Sequence, residues 1–147
     1  MKNQDDFLVI KNILSFSYVE NDGAAWGMFG GKTAMFIVLT SVMLFLISFV
    51  IYRLDGVKTA ENKKVMTILE TDLFVLIAGA IGNFIDRIRM GYVVDFIKTD
   101  FISFPVFNVA DCYVTVSMVI LIILILFFVK EEELDVILSL RKKESGE

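Results

Sequence analysis

Two long uncharged apolar runs constrain this chain more than anything else in it. Thr33 to Tyr52 is fenced by Lys32 and Arg53, and Cys112 to Val129 by Asp111 and Lys130. A helix needs roughly 20 apolar residues to cross about 30 Å of hydrocarbon, and both runs qualify. A third run, Val65 to Phe84, has the length but carries Glu70 and Asp72 near its start, and its clean stretch from Leu73 to Gly82 ends at Asn83. Read as a span, it puts the acidic pair near the headgroups or facing the bundle interior, since charge facing lipid is costly. The composition agrees. Apolar residues make up 56% of 147, with 14 phenylalanines, more greasy surface than a small soluble domain can hide. The expected fold is an α-helical membrane protein, a small bundle of three transmembrane helices.

Three spans put the two ends on opposite sides. With the N-terminal segment outside, the inner segments hold Arg53, Lys58, Lys63, Lys64, Lys130, Arg141, Lys142 and Lys143. The outer side then holds Lys2, Lys11, Lys32, Arg87, Arg89 and Lys98. That bias leans towards N-out and C-in by the positive-inside rule. Before the first span, Leu14, Phe16 and Tyr18 alternate with Ser15 and Ser17, the period of a half-buried strand. Asn21-Asp22-Gly23 follows as a tight-turn signal. The expectation is a small extracytoplasmic β-sheet in residues 1–31, with Trp26 and Phe29 as interfacial aromatics. The bundle then occupies 32–130, with a polar connection at 84–111. Residues 131–147 are expected as a cytoplasmic tail that reads as a solvated helix end.

Several chemistries are excluded at once. A net charge of −4, from 14 basic and 18 acidic residues, argues against a nucleic-acid partner. With no His and one Cys, there is no intrachain disulfide, no usual zinc ligand set and no Ser-His-Asp or Cys-His nucleophile. Hydrolysis here has to run on carboxylates.

The densest polar cluster lies between the second and third apolar runs. Asp95 is set among Val93, Val94 and Phe96, and Asp111 opens a long apolar helix. Both belong to one connection and so to one membrane face. Two carboxyls close together in a poorly hydrated place do not both ionise, which yields one base and one acid. Plainer readings stand beside this one. Asp111 complements a helix dipole, and Asp86 with Arg87 forms a surface ion pair of small worth. Gly79, Ala80 and Gly82 let helices approach, Asn83 bonds between helices, and Cys112 is a small apolar residue.

Taken together, Glu20-Asn21-Asp22-Gly23-Ala24-Ala25-Trp26-Gly27, Gly82-Asn83-x-x-Asp86-Arg87, Gly91-x-Val93-Val94-Asp95 and Phe107-Asn108-x-Ala110-Asp111 resemble the lipoprotein signal peptidases. These are bacterial membrane aspartic proteases, also called signal peptidase II. The resemblance runs from the N-terminal sheet to the last span, with four motifs in the family's order. It implies an endopeptidase of the cytoplasmic membrane that cleaves diacylglyceryl-modified prolipoproteins before the lipidated cysteine, at the extracytoplasmic face. It further implies a catalytic dyad at Asp95 and Asp111, supporting polar residues at Asn21, Asn83, Arg87 and Asn108, and Gly23 in the sheet motif. No metal or organic cofactor is implied, and the expected state is a monomer whose partners are lipidated precursors and membrane lipids. Asn83 and Arg87, one helical turn apart, are expected to face one cavity, and Asn108 to orient Asp111.

The sequence also departs from the family pattern. Members usually have four spans, the first carrying an Asp-Gln-x-x-Lys-like motif, and no counterpart precedes the sheet in these 147 residues. The expectation is therefore a chain lacking the family's first helix, either truncated or a degenerate relative. Two rival functions remain at this level. One is a non-catalytic relative that binds lipidated precursors; the other is a small proton-coupled transport subunit using Asp95 and Asp111 as a relay.

Overall fold

The computed structural model describes residues 6–23 and 28–138. Trp26 and the basic Arg141, Lys142 and Lys143 lie outside the described residues. The chain runs β1 (Phe7–Ile10), β2 (Leu14–Asn21), α1 (Thr33–Leu54), α2 (Lys63–Met90), β3 (Val93–Thr99), α3 (Val109–Phe127) and α4 (Glu131–Leu138). Helices α1, α2 and α3 are each long and apolar enough to cross a membrane. At 1.5 Å per residue they reach roughly 33, 42 and 28 Å, so α2 outruns the hydrocarbon. The bundle is greasy outwards: Val38, Phe45, Val116 and Leu126 are all exposed. That pattern suits lipid as the solvent, where apolar surface need not be buried.

The second helix extends beyond its apolar run at both ends, and a glycine sets its C-terminal stop. Gly91 closes it at φ 83°, a left-handed cap whose N–H returns to the Arg87 carbonyl. Inside the helix, Glu70 takes Lys58 Nζ at 2.8 Å, whereas Asp72 turns into the bundle and is 6% exposed. The two acids thus have different fates. α2 packs most extensively on α3, and glycine makes the approach possible. A Cβ at Gly79 would lie 2.8 Å from the Ala110 carbonyl oxygen and 2.9 Å from Tyr113 Cβ, and one at Gly82 would lie 3.1 Å from Ala110 Cβ.

The sheet is antiparallel, in the order β1-β2-β3. β2 pairs with β3 so that Val19 faces Asp95 and Asn21 faces Val93, with an irregularity between Phe16 and Val19. Thr33 Oγ1 at the start of α1 donates to the Gly91 carbonyl at 2.6 Å. This bond ties α1 to the sheet-bearing end of α2. The alternation in 14–18 does make a strand, but its most buried member is Ser15, not one of the apolar residues. Ser15 Oγ donates to Asp100 at 3.0 Å, and Phe16 meets Phe96 edge-on.

The apolar core sits at the opposite end, around Leu54, Val57, Met66, Leu69, Leu73 and Leu124. Here the expected helix end is found at 131–138, and the expectation that it is solvated throughout is corrected at Ile137. Those residues form α4, which folds back on the bundle and buries Ile137 in the core. Arg53 donates to the Val136 carbonyl, and Asn62 Nδ2 donates to Glu133 at 2.6 Å. The acidic run Glu131–Glu133 is the first turn of this helix, where negative charge faces the positive end of the helix dipole.

Candidate active site

Four elements converge at the sheet-bearing end of the bundle. Asn108 is the N-cap of α3 and Asp111 its third residue, and together they form a reciprocal capping box. Asn108 Oδ1 accepts from the Asp111 N–H at 3.1 Å, and Asp111 Oδ2 accepts from the Asn108 N–H at 3.0 Å. The other oxygen of Asp111 takes Asn83 Nδ2 at 2.7 Å. Asp111 therefore both caps the helix and joins the cluster, so the plain reading and the chemical one hold together.

Asp95 comes from β3 and is 2% exposed. Its oxygens accept from Asn21 Nδ2 at 2.8 Å and from Asn108 Nδ2 at 2.7 Å. Asn108 Nδ2 also donates to Asn83 Oδ1 at 3.0 Å. Asn108 is thus bonded to both aspartates, and Asn83 locks it to α2. Burial pushes the Asp95 carboxyl above the usual carboxylate range, and the neighbouring Asp111 adds to that. The amides of Asn21 and Asn108, and the Arg87 charge, pull the other way without reversing the shift.

The turn after β2 is built by Asn21, whose Oδ1 accepts the Gly23 N–H at 3.0 Å. A Cβ at Gly23 would lie 2.5 Å from the Met28 carbonyl oxygen, so no larger residue fits there. Arg87 Nη2 donates to the Gly23 carbonyl at 3.1 Å, and its guanidinium lies 4.9 Å from the centre of the Phe36 ring. Asp86 takes a different partner, the Val94 N–H at 3.4 Å. The expected Asp86–Arg87 surface pair is therefore replaced by two separate structural contacts.

A cavity of ≈ 570 Å³ opens over this cluster. Its polar wall includes Asn21, Arg87, Asp95 and Asp111, and its apolar wall runs through Phe104 to Phe107 and along Cys112 and Val116 of α3. Asn83 and Asn108 are not on the wall. The expectation that Asn83 shares the cavity with Arg87 is corrected: Asn83 stands behind the wall and acts on Asp111 and Asn108. Of the apolar half, only Phe107 belonged to a motif; nothing in the sequence marked Phe104, Pro105 or Val106 as a cavity wall.

The sequence profile of signal peptidase (SPase) II matches residues 1–127. The chain belongs to this family. Among its relatives, a lipoprotein signal peptidase of Lactococcus lactis subsp. lactis (strain IL1403) is 44% identical over 115 residues, covering 78% of this chain and 71% of that protein. One from Clostridium tetani (strain Massachusetts / E88) is 43% identical over 131 residues, covering 87% and 77%. Two solved structures, each described as a bacterial membrane enzyme, share the fold. One superposes with a TM-score of 0.70 at 34% identity over 97% of this chain and 78% of that one. The other gives 0.68 at 38% identity, over 88% and 79%. As a signal peptidase II, the chain is a membrane-embedded protease.

Proposed function

We propose that Asp95 and Asp111 are the catalytic dyad, and that the chain cuts diacylglyceryl-modified prolipoproteins before the lipidated cysteine. One observation carries this reading: two aspartates from separate elements meet on the wall of one cavity, both held by Asn108. In this reading Asp95, 2% exposed, serves as the acid and Asp111, seated on a helix N-terminus, as the base. Asp111 takes a proton from a water as its oxygen attacks the scissile carbonyl carbon. Asp95 hydrogen-bonds the carbonyl oxygen and protonates it, giving a tetrahedral diol. Return of that hydroxyl's proton to Asp95 re-forms the carbonyl as the C–N bond breaks. The leaving cysteine amine takes the proton held by Asp111, and the dyad returns to its starting state.

The surrounding residues serve substrate rather than proton transfer. The apolar wall of Phe104 to Phe107, Cys112 and Val116 suits acyl chains, and the Arg87 guanidinium on the polar wall is a donor for a substrate carbonyl or headgroup oxygen. Arg53, Lys58, Lys63, Lys64 and Lys130 cluster at the end away from the dyad. By the positive-inside rule this supports a cytoplasmic core end and an extracytoplasmic active site in the cytoplasmic membrane. The working unit in this reading is a monomer among membrane lipids. A transport relay is less well supported, because Glu70 is held by Lys58 and only Asp72 lies at depth. Asp95→Asn and Asp111→Asn, each purified folded, are expected to abolish cleavage of a lipidated precursor. Retained cleavage in either overturns the dyad assignment.

A further inference from the structure

Arg87 is a half-buried cation on the wall of the dyad cavity, and the partners that hold it are neutral. Nη2 donates to the Gly23 carbonyl at 3.1 Å, and the guanidinium carbon lies 4.9 Å from the centre of the Phe36 ring. Its sequence neighbour Asp86 is turned instead to the Val94 N–H. A carboxylate in the place of the ring would also hold the guanidinium, but it would cancel the charge and occupy N–H groups. An aromatic face attracts the cation as a whole and brings no counter-charge. One carbonyl alone fixes a single N–H of a long, rotamer-rich side chain; the ring supplies the second point.

Phe36 comes from α1 and belongs to none of the four motifs. Thr33, three residues earlier and on the same helix face, donates to the carbonyl of Gly91, the residue that caps α2. The first turns of α1 are thereby fastened beside the last turns of α2, where Arg87 sits. Phe36 is not on the cavity wall itself, so any effect it has on bound substrate passes through Arg87.

We infer that Phe36 is a positioning residue, whose ring holds the Arg87 guanidinium at the cavity wall with its charge uncompensated and N–H groups left to take a substrate oxygen. The inference rests on the peptidase reading, in which Arg87 is that donor. The test is equilibrium binding, to the intact chain in detergent, of a diacylglyceryl-cysteine peptide whose scissile amide is N-methylated and so resists cleavage. Phe36→Leu, which stays apolar but loses the ring, is expected to weaken binding three- to tenfold while Tm changes little. Phe36→Tyr, which keeps the ring, should bind like the unaltered chain. Arg87→Gln should itself weaken binding, and adding Phe36→Leu to it should cost nothing more, as required of one residue acting through another. Phe36→Met serves if Phe36→Leu does not fold. Undiminished binding without the ring, an equal loss in Phe36→Tyr, or a further loss in the Arg87→Gln background overturns the inference. Failure of the peptidase reading shows elsewhere, as an uncut precursor with an ordinary amide, because binding requires no turnover.

Discussion

Gly79→Ala tests how closely catalysis depends on helix approach. A Cβ at Gly79 meets the Ala110 carbonyl oxygen at 2.8 Å, against ordinary contact beginning at 3.4 Å. The obstacle is backbone, so α3 has to retreat by about 0.6 Å. Ala110 lies between Asn108 and Asp111, the residues that Asn83 of α2 holds at 3.0 and 2.7 Å. The same retreat stretches both bonds to roughly 3.3–3.6 Å, at or beyond the useful range. Misplacing catalytic groups by a sizeable part of an ångström is expected to cost ten- to a hundredfold in kcat/KM. Overpacking of about 1–3 kcal/mol is partly offset by the better helix propensity of Ala, worth up to about 1 kcal/mol, so Tm should fall only modestly. The assay is cleavage of a lipidated fluorogenic precursor, read beside thermal unfolding in the same detergent. Gly82→Ala meets a side-chain methyl at 3.1 Å and should be milder. Gly56→Ala, where the nearest atom lies at 3.5 Å, is the control. Unimpaired turnover in Gly79→Ala, or equal losses at all three glycines, refutes the coupling.

Other expectations follow from the same contacts. Asn108→Ala removes a helix cap, worth about 0.5–2 kcal/mol, together with contacts to both aspartates; it should lower kcat at least a hundredfold while leaving signal-peptide binding within a few fold, and a loss confined to binding would contradict this. Because burial raises the folded-state pKa of Asp95, the neutral form is favoured by folding; that stability is full below the ordinary aspartate pKa of about 3.9 and is lost as pH rises through the raised value. The Tm of Asp95→Asn relative to the unaltered chain should therefore climb from pH ~4 to ~8, and a flat difference would remove the burial argument. Ile137→Ala should destabilise by about 2–4 kcal/mol with kcat unchanged, since α4 is docked at the end away from the dyad; an unmoved Tm would mean that α4 does not pack as described.

The three spans were legible because lipid demands long uncharged runs, and nothing else in the chain satisfies that demand. Their ends were less so. α2 continues to Met90, past Asn83, because Gly91 supplies the stop and the polar residues of its last turns find partners in the sheet. Asp95 was visible as a carboxyl among apolar neighbours, but Val93–Thr99 did not declare itself a strand, since its pairing with β2 lies more than seventy residues away in sequence. The strand at 14–18 was legible in period, though not in face: Ser15 is buried by a bond to Asp100 that no local pattern announces. α4 was legible as a helix end, but its docking was not, because charges dominate its composition and Ile137 alone among its positions is buried. The resemblance pointed to Asp95 and Asp111, which share a cavity wall, but the position of Asn83 behind that wall emerges only from the fold.

Asn108 caps α3 with one end of its amide and holds the Asp95 carboxyl with the other, and on the proposed dyad reading this joins fold to chemistry. Any replacement that unsettles the start of α3 also disarms both acids together, so natural variation at this position cannot trade fold against turnover. Drift that tunes the enzyme has to occur instead along the greasy cavity wall, where Phe104, Val106, Cys112 and Val116 can change without disturbing that joint.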